Sequence, residues 1–138
     1  MRTGRPGWLL DTSVYSQRLR PRPAPGVVRR WKELGDDVLA ISAVCEAEVL
    51  YGLGRKNSER LWLEYRECLE NRLVLLPLDK PVAVCFAELK VEMERRGEPR
   101  PDFDLLIAAT AIHHSLTLAT LNTKHFRGLP GLKMEDWG

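Results

Sequence analysis

The sequence predicts an α/β fold, layered around a mainly parallel central sheet of four to five strands. Three features carry that reading. Short apolar runs alternate with longer amphipathic segments, the pattern of strands separated by helices. The runs are uniformly apolar, as in strands covered on both faces. One later segment, Leu105 to Ile112, is apolar on nearly every side and so belongs to a helix passing through the interior.

In chain order, residues 8–11, Trp-Leu-Leu-Asp, form an apolar run ending in an acid and suit a buried strand. Thr12 and Ser13 can cap a short helix over 13–19. The stretch from Arg18 to Gly26 is rich in proline and cannot continue a helix. A second helix follows over 27–35, through Val27, Val28, Trp31 and Leu34. Val38 to Ile41 is the second strand. Ser42 caps a helix over 43–53, with Gly52 and Gly54 near its end. Asn57 or Ser58 opens a longer amphipathic helix that reaches Asn71. Leu73 to Leu76 is the third strand. Asp79 caps a helix with Pro81 in its first turn, running to Arg96 before Gly97 stops it. Asp102, just after Pro101, caps the apolar helix, which ends at His114 or Ser115. Leu116 to Thr120 is the fourth strand, Leu121 to Lys124 a turn, and Gly131 to Met134 a short edge strand.

Composition narrows the class. The 138 residues make one domain with a proper core, expected over 8–138 behind a short flexible leader of residues 1–7. With 44% apolar and 29% charged residues, the chain reads as soluble and globular. No apolar run approaches the ~20 residues needed to span a bilayer, so no membrane is expected. The basic start lacks the apolar stretch of a secretory signal. Cys45, Cys68 and Cys85 lie far apart and form no Cys-x-x-Cys pair, which suits core residues in a reducing cytoplasm. The net charge of +2 is small. Its distribution is uneven, because Arg18, Arg20, Arg22, Arg29, Arg30 and Lys32 follow one another with no acid between them.

In open parallel sheets, ligands bind off the carboxyl ends of the strands. Asp11, Thr12 and Ser13 follow the first strand. Glu46 and Glu48 begin the helix after the second. Thr120, Asn122 and Lys124 follow the fourth, and Asp104 sits on the first turn of the apolar helix. Asp104 shares a face with Ile107, Ala108 and Ala111, so its carboxylate turns toward apolar surface and needs a compensating partner. Carboxylates gathered at one rim repel unless protonated or bridged by a cation. All-oxygen donors select a hard ion, Mg²⁺ or Mn²⁺, over zinc. Glu46 and Glu48 point about 200° apart on a helix, so only one can reach a shared site, and periodicity does not decide between them.

Four stretches, Leu9 to Val14, Ile41 to Gly52, Pro101 to Ala111 and Leu118 to Phe126, resemble the successive motifs of PIN-domain proteins. The similarity is greatest to VapC-type toxins of bacterial toxin–antitoxin pairs, and the tail from Leu129 to Trp137 is also like theirs. The resemblance implies a three-layer α/β/α fold and an endoribonuclease dependent on Mg²⁺ or Mn²⁺. It places the catalytic acids at Asp11, Glu48 and Asp104, with Asp11 and Asp104 as metal ligands and Glu48 acting through water or as base. Glu46 is then a surface or dimer-facing acid. Thr12, Ser13, Thr120 and Asn122 support the site, and Arg18, Arg20, Arg22 and Lys124 are candidates for RNA phosphates. Many members of that family carry a fourth acid near the end of the last strand or in the following turn, where this chain has Asn122 and then His125. The resemblance further implies an RNA substrate, a VapB-like antitoxin as partner and a homodimer, with Trp62, Tyr65 and Leu69 available for its interface. Two other readings remain: a housekeeping RNA-processing nuclease, and a PIN-like module that binds RNA or protein without cutting. A phosphoacceptor domain is disfavoured because Asp79 reads as a cap, and a two-aspartate phosphatase because Asp11-Thr12-Ser13 supplies one acid.

Overall fold

The structure, a computed structural model, describes residues 5–138. The expected leader of residues 1–7 therefore lies partly outside the described residues. Gly7 already belongs to the sheet: its N–H donates to Val38 O at 2.8 Å and its carbonyl accepts from Thr117 N at 3.0 Å.

Five strands pair in parallel throughout: β1 (Trp8–Leu10), β2 (Leu39–Ser42), β3 (Val74–Leu76), β4 (Thr117–Thr120) and β5 (Lys133–Asp136). Their spatial order is β3-β2-β1-β4-β5. Side chains of a strand alternate between faces. Leu10, Leu39, Ile41 and Ala119 therefore enter one core with Val14, Trp31, Tyr65 and Leu69. Leu9, Ala40 and Leu118 enter a second core with Leu89, Met93, Leu105, Ile107 and Ala111. Leu9 and Leu10 are both fully buried, which explains why the strands read as solid apolar runs.

The helices are α1 (Thr12–Tyr15), α2 (Pro25–Leu34), α3 (Ala43–Lys56), α4 (Glu59–Cys68), α5 (Lys80–Arg95), α6 (Asp102–His113) and α7 (Thr123–Phe126). Ser42, Ser58 and Asp79 cap α3, α4 and α5 as expected, each accepting from a backbone N–H three residues on. Four local expectations change. The cap of α1 is Asp11 rather than Thr12 or Ser13. Pro101 takes the cap position of α6, so Asp102 becomes its first residue and pairs with Lys90 on α5 at 2.8 Å. Helix α3 continues through Gly52 and Gly54 and stops at Asn57, which adopts the left-handed conformation at φ 49°. The turn after β4 closes into the single turn α7, anchored by buried Phe126.

The chain lays down β1, β2 and β3 in one direction, then crosses to the other side of β1 for β4 and β5. That reversal opens a crevice beyond the carboxyl ends of β1 and β4, the position where such sheets bind ligands. Helix α6 packs against α5 and against β4, which brings its first turn to the same rim.

Candidate active site

Asp11 sits at the end of β1 with 3% of its surface exposed. Its carboxylate is held from three sides. Oδ1 accepts from Ser13 Oγ at 2.6 Å and from Val14 N at 3.0 Å, and Oδ2 accepts from Thr120 Oγ1 at 2.6 Å. These hydroxyls are themselves fixed, since Ser13 Oγ accepts from Leu121 N and Thr120 Oγ1 accepts from Asn122 N. The strand ends are thus sewn together through Asp11. Burial still pushes its carboxyl above the ordinary range; the Ser13, Thr120 and Val14 hydrogen bonds oppose the rise, and the negative Asp104 nearby adds to it.

Asp104 is half-buried on the first turn of α6. Burial raises its carboxyl as well, with His125 opposing. His125 Nδ1 stands 3.3 Å from Asp104 Oδ2, so α7 supplies the one basic group that this acid meets among the described residues. The Asn122 side chain makes no hydrogen bond among the described residues; its backbone N–H, not its amide, serves the site.

The two glutamates of α3 separate cleanly. Glu48 accepts from Thr12 Oγ1 at 2.5 Å and so faces the rim beside Asp11. Glu46 points to the other flank, where the Tyr65 hydroxyl donates to it and the Tyr15 hydroxyl lies 3.4 Å away. It is not the surface acid that the sequence suggested, because two tyrosines of the same chain satisfy it. Tyr65 and Leu69 are likewise buried in the chain's own core, which removes them from the expected dimer surface, while Trp62 packs partly buried on that core.

The basic candidates divide. Arg20 lines a groove that begins at Thr12 and Glu48. Arg18 turns away to lie over the Trp31 ring, 4.5 Å from its centroid, and lines a separate cleft with Asp36 and Arg72. Arg22 is exposed in the loop and Lys124 is exposed on α7, next to His125. Sequence reasoning missed the two tyrosines on Glu46, which lie 31 and 19 residues away along the chain. It had named His125 only as an alternative position, without its contact to Asp104.

Among the described residues, no three His, Cys, Asp or Glu side chains stand together as a complete metal-ligand set. The donor chemistry nonetheless fits a hard cation. The negative charge of Asp104 bears on buried Asp11, and Mg²⁺ is commonly held by one or two carboxylates, with waters and substrate phosphate completing its shell.

The strand order and the acids at the switch point define an α/β fold with a ligand crevice lined by carboxylates, and comparison with known proteins assigns its family. The PIN-domain family model matches residues 8–132, and the chain belongs to that family. Its relatives include the tRNA(fMet)-specific endonuclease VapC of Shigella flexneri, 30% identical over 94% of this chain and 97% of that one. They also include the toxin FitB of Neisseria gonorrhoeae, 36% identical over 86% of this chain and 89% of that one. Among solved structures, VapBC2 of Rickettsia felis, bound to a DNA fragment from its promoter, superposes with a TM-score of 0.85 at 28% identity, covering 95% of this chain and 98% of that one. The FitAcB structure of Neisseria gonorrhoeae gives 0.82 at 32% identity, with 94% and 97% covered.

Proposed function

We propose that this protein is a divalent-metal-dependent endoribonuclease serving as the toxin of a toxin–antitoxin pair. The observation that carries the chemistry is that Asp11 at the end of β1 and Asp104 on the first turn of α6 lie close enough for the charge of Asp104 to act on Asp11, with neither carboxylate paired to a Lys or Arg among the described residues. Relatives named as VapC ribonucleases match over nearly the whole chain, which supports the substrate class.

In this reading Asp11 and Asp104 hold Mg²⁺ or Mn²⁺. Such an ion, when bound, neutralises charge on phosphoryl oxygens and makes water a better nucleophile. Ser13, Thr120 and the Val14 N–H keep Asp11 in one orientation, so no reorganisation is needed as substrate arrives. Glu48, aligned by Thr12, orients the attacking water and accepts its proton. Asn122 and Lys124, which follow β4, are assigned in this reading to the substrate phosphate.

The partner in this reading is a VapB-like antitoxin, since the matching structures are VapBC and FitAB assemblies. A homodimer is also part of it. Leu78, Val84 and Val91, after β3 and along α5, are about half exposed and offer apolar surface in place of the buried Tyr65 and Leu69.

The test is cleavage of labelled RNA with Mg²⁺ or Mn²⁺ present. The tRNA(fMet) named for the Shigella flexneri relative is the first substrate to try. Cleavage that Asp104→Asn removes is the expected result. Cleavage retained in full by that variant would show the site to be elsewhere.

A further inference from the structure

A groove of about 470 Å³ leads away from the acids between the Ser16-to-Pro21 segment, α3 and α4. Thr12 and Glu48 form its near end, and Arg20, Lys56 and Arg60 line it further out. On α3, Glu48, Gly52 and Lys56 follow at four-residue steps, a stripe about 12 Å long. The groove is therefore polarised, with acid where the chemistry is assigned and cations beyond it.

Gly52 is the informative residue. It lies inside α3, where glycine is a poorer choice than alanine. A Cβ placed there would meet nothing within 4 Å, so packing does not require the missing side chain. Its absence instead leaves the α3 backbone bare on the groove floor, open to close approach by a ligand. The cations have little to do within the fold. Arg20 and Lys56 form no ion pair among the described residues. Arg60 meets Glu64 at 2.9 Å on the open surface, where water and salt weaken the contact.

We infer that this groove is the track of single-stranded RNA beside the catalytic acids. The chain backbone at Gly52 is its close-contact floor, and Arg20, Lys56 and Arg60 are its phosphate contacts. The inference rests on the ribonuclease reading and adds Gly52, Lys56 and Arg60 to the substrate-binding residues. Arg20, Lys56 and Arg60 offer contacts to phosphates, and Leu19, Val49, Leu53 and Leu61 give the same groove apolar surface against which bases can pack.

Full-length protein in EDTA is titrated with a fluorescein-labelled unstructured RNA twelve-mer across a range of salt, and cleavage is measured separately with Mn²⁺. Gly52→Leu should weaken binding at least about tenfold, the loss of roughly one base contact, without lowering the melting temperature. The smaller Gly52→Ala should raise the melting temperature and keep RNA binding. Lys56→Ala with Arg60→Ala should reduce the salt slope by about 1.4, at roughly 0.7 for each single-strand phosphate contact. Wild-type affinity and slope in both Gly52→Leu and the double variant, in a protein that still cuts RNA, would overturn the groove alone. Unchanged RNA binding with weakened antitoxin binding would also overturn it and assign the groove to the protein partner. A wild-type chain that neither binds nor cuts RNA would overturn the groove and the ribonuclease reading together.

Discussion

Two sets of carboxylates in this molecule have opposite fates. Glu135 on β5 accepts from Arg30 at 2.6 Å, with the Trp8 and Trp137 indoles donating to the same group. Those hydrogen bonds, that of Arg30 foremost, hold its carboxyl below the ordinary range despite burial. Asp36 behaves alike: burial would raise it, but Arg72 at 2.7 Å and the Trp31 indole outweigh that and lower it. Among the described residues Asp11 and Asp104 have hydroxyls, one N–H and an imidazole, but no guanidinium or ammonium, and both are raised. The fold thus neutralises Glu135 and Asp36 with guanidinium groups and leaves the rim acids short of positive charge. That deficit is what an external cation would fill.

The most direct way to break this comparison is Asp104→Asn. RNA cleavage should fall by more than about 100-fold, since even outer partners of metal ligands cost 10–100-fold. Growth arrest on expression should be relieved in parallel, and also by Asp11→Asn. Undiminished arrest by variants that fold but do not cut would separate toxicity from catalysis.

A smaller loss sharpens the same contrast. Thr12→Val removes the hydrogen bond on Glu48 while keeping its shape, and should slow cleavage by about 10-fold or somewhat more, with little change in melting temperature. Wild-type turnover in Thr12→Val would remove Thr12 as the residue that positions Glu48.

The rim should also be visible in stability. Folding raises the affinity of Asp11 and Asp104 for protons, so the metal-free protein should lose stability as pH climbs from the ordinary value of 3.8 through their raised folded values. Above that window the cost is fully present. Mn²⁺ at neutral pH should offset it, by about 2.7 kcal/mol at a hundredfold excess over Kd. Thermal melts with and without Mn²⁺, on wild type and Asp104→Asn, measure this. An equal Mn²⁺ shift in both would place the ion away from Asp104.

The smallest effect belongs to the neutralised set. Asp36 has a depressed folded pKa, so its contribution is complete above 3.8 and disappears as pH falls through the folded value. The pair with Arg72 is partly exposed, and Asp36→Asn should cost about 1 kcal/mol or less at neutral pH. Unlike the rim variants, it should leave RNA cleavage and Mn²⁺ binding unaltered.

Much of this was legible in the chain. Strands β1, β2 and β4 were legible because their residues are covered on both faces, whereas β3 and β5 lie partly open at the sheet edges. Asp104 drew notice because an acid beside so much apolar sequence is costly, and Asp11 because it follows the first strand. The Glu46 and Glu48 choice was not legible from periodicity, because apolar residues of α3 flank both acids. The folded chain turns Glu48 toward Thr12 and Glu46 toward Tyr15 and Tyr65, contacts that no periodicity records. Asp102 looked like a cap, but Pro101 occupies that position and Lys90, twelve residues earlier, captures the carboxylate. The glycines of α3 looked like a stop signal, yet Asn57 can take the left-handed turn and lets the helix run on. Helix α7 is four residues long, too short for periodicity to register, which hid the approach of His125 to Asp104.

The bond from Thr120 to Asp11 joins residues 109 apart. The rim can therefore close only after β4 has been synthesised and has docked on β1, so on the proposed function the emerging chain should be inactive until then. A version truncated ahead of Thr117 should be inert in the growth assay at any expression level, and toxicity from it would place the lethal surface outside the rim.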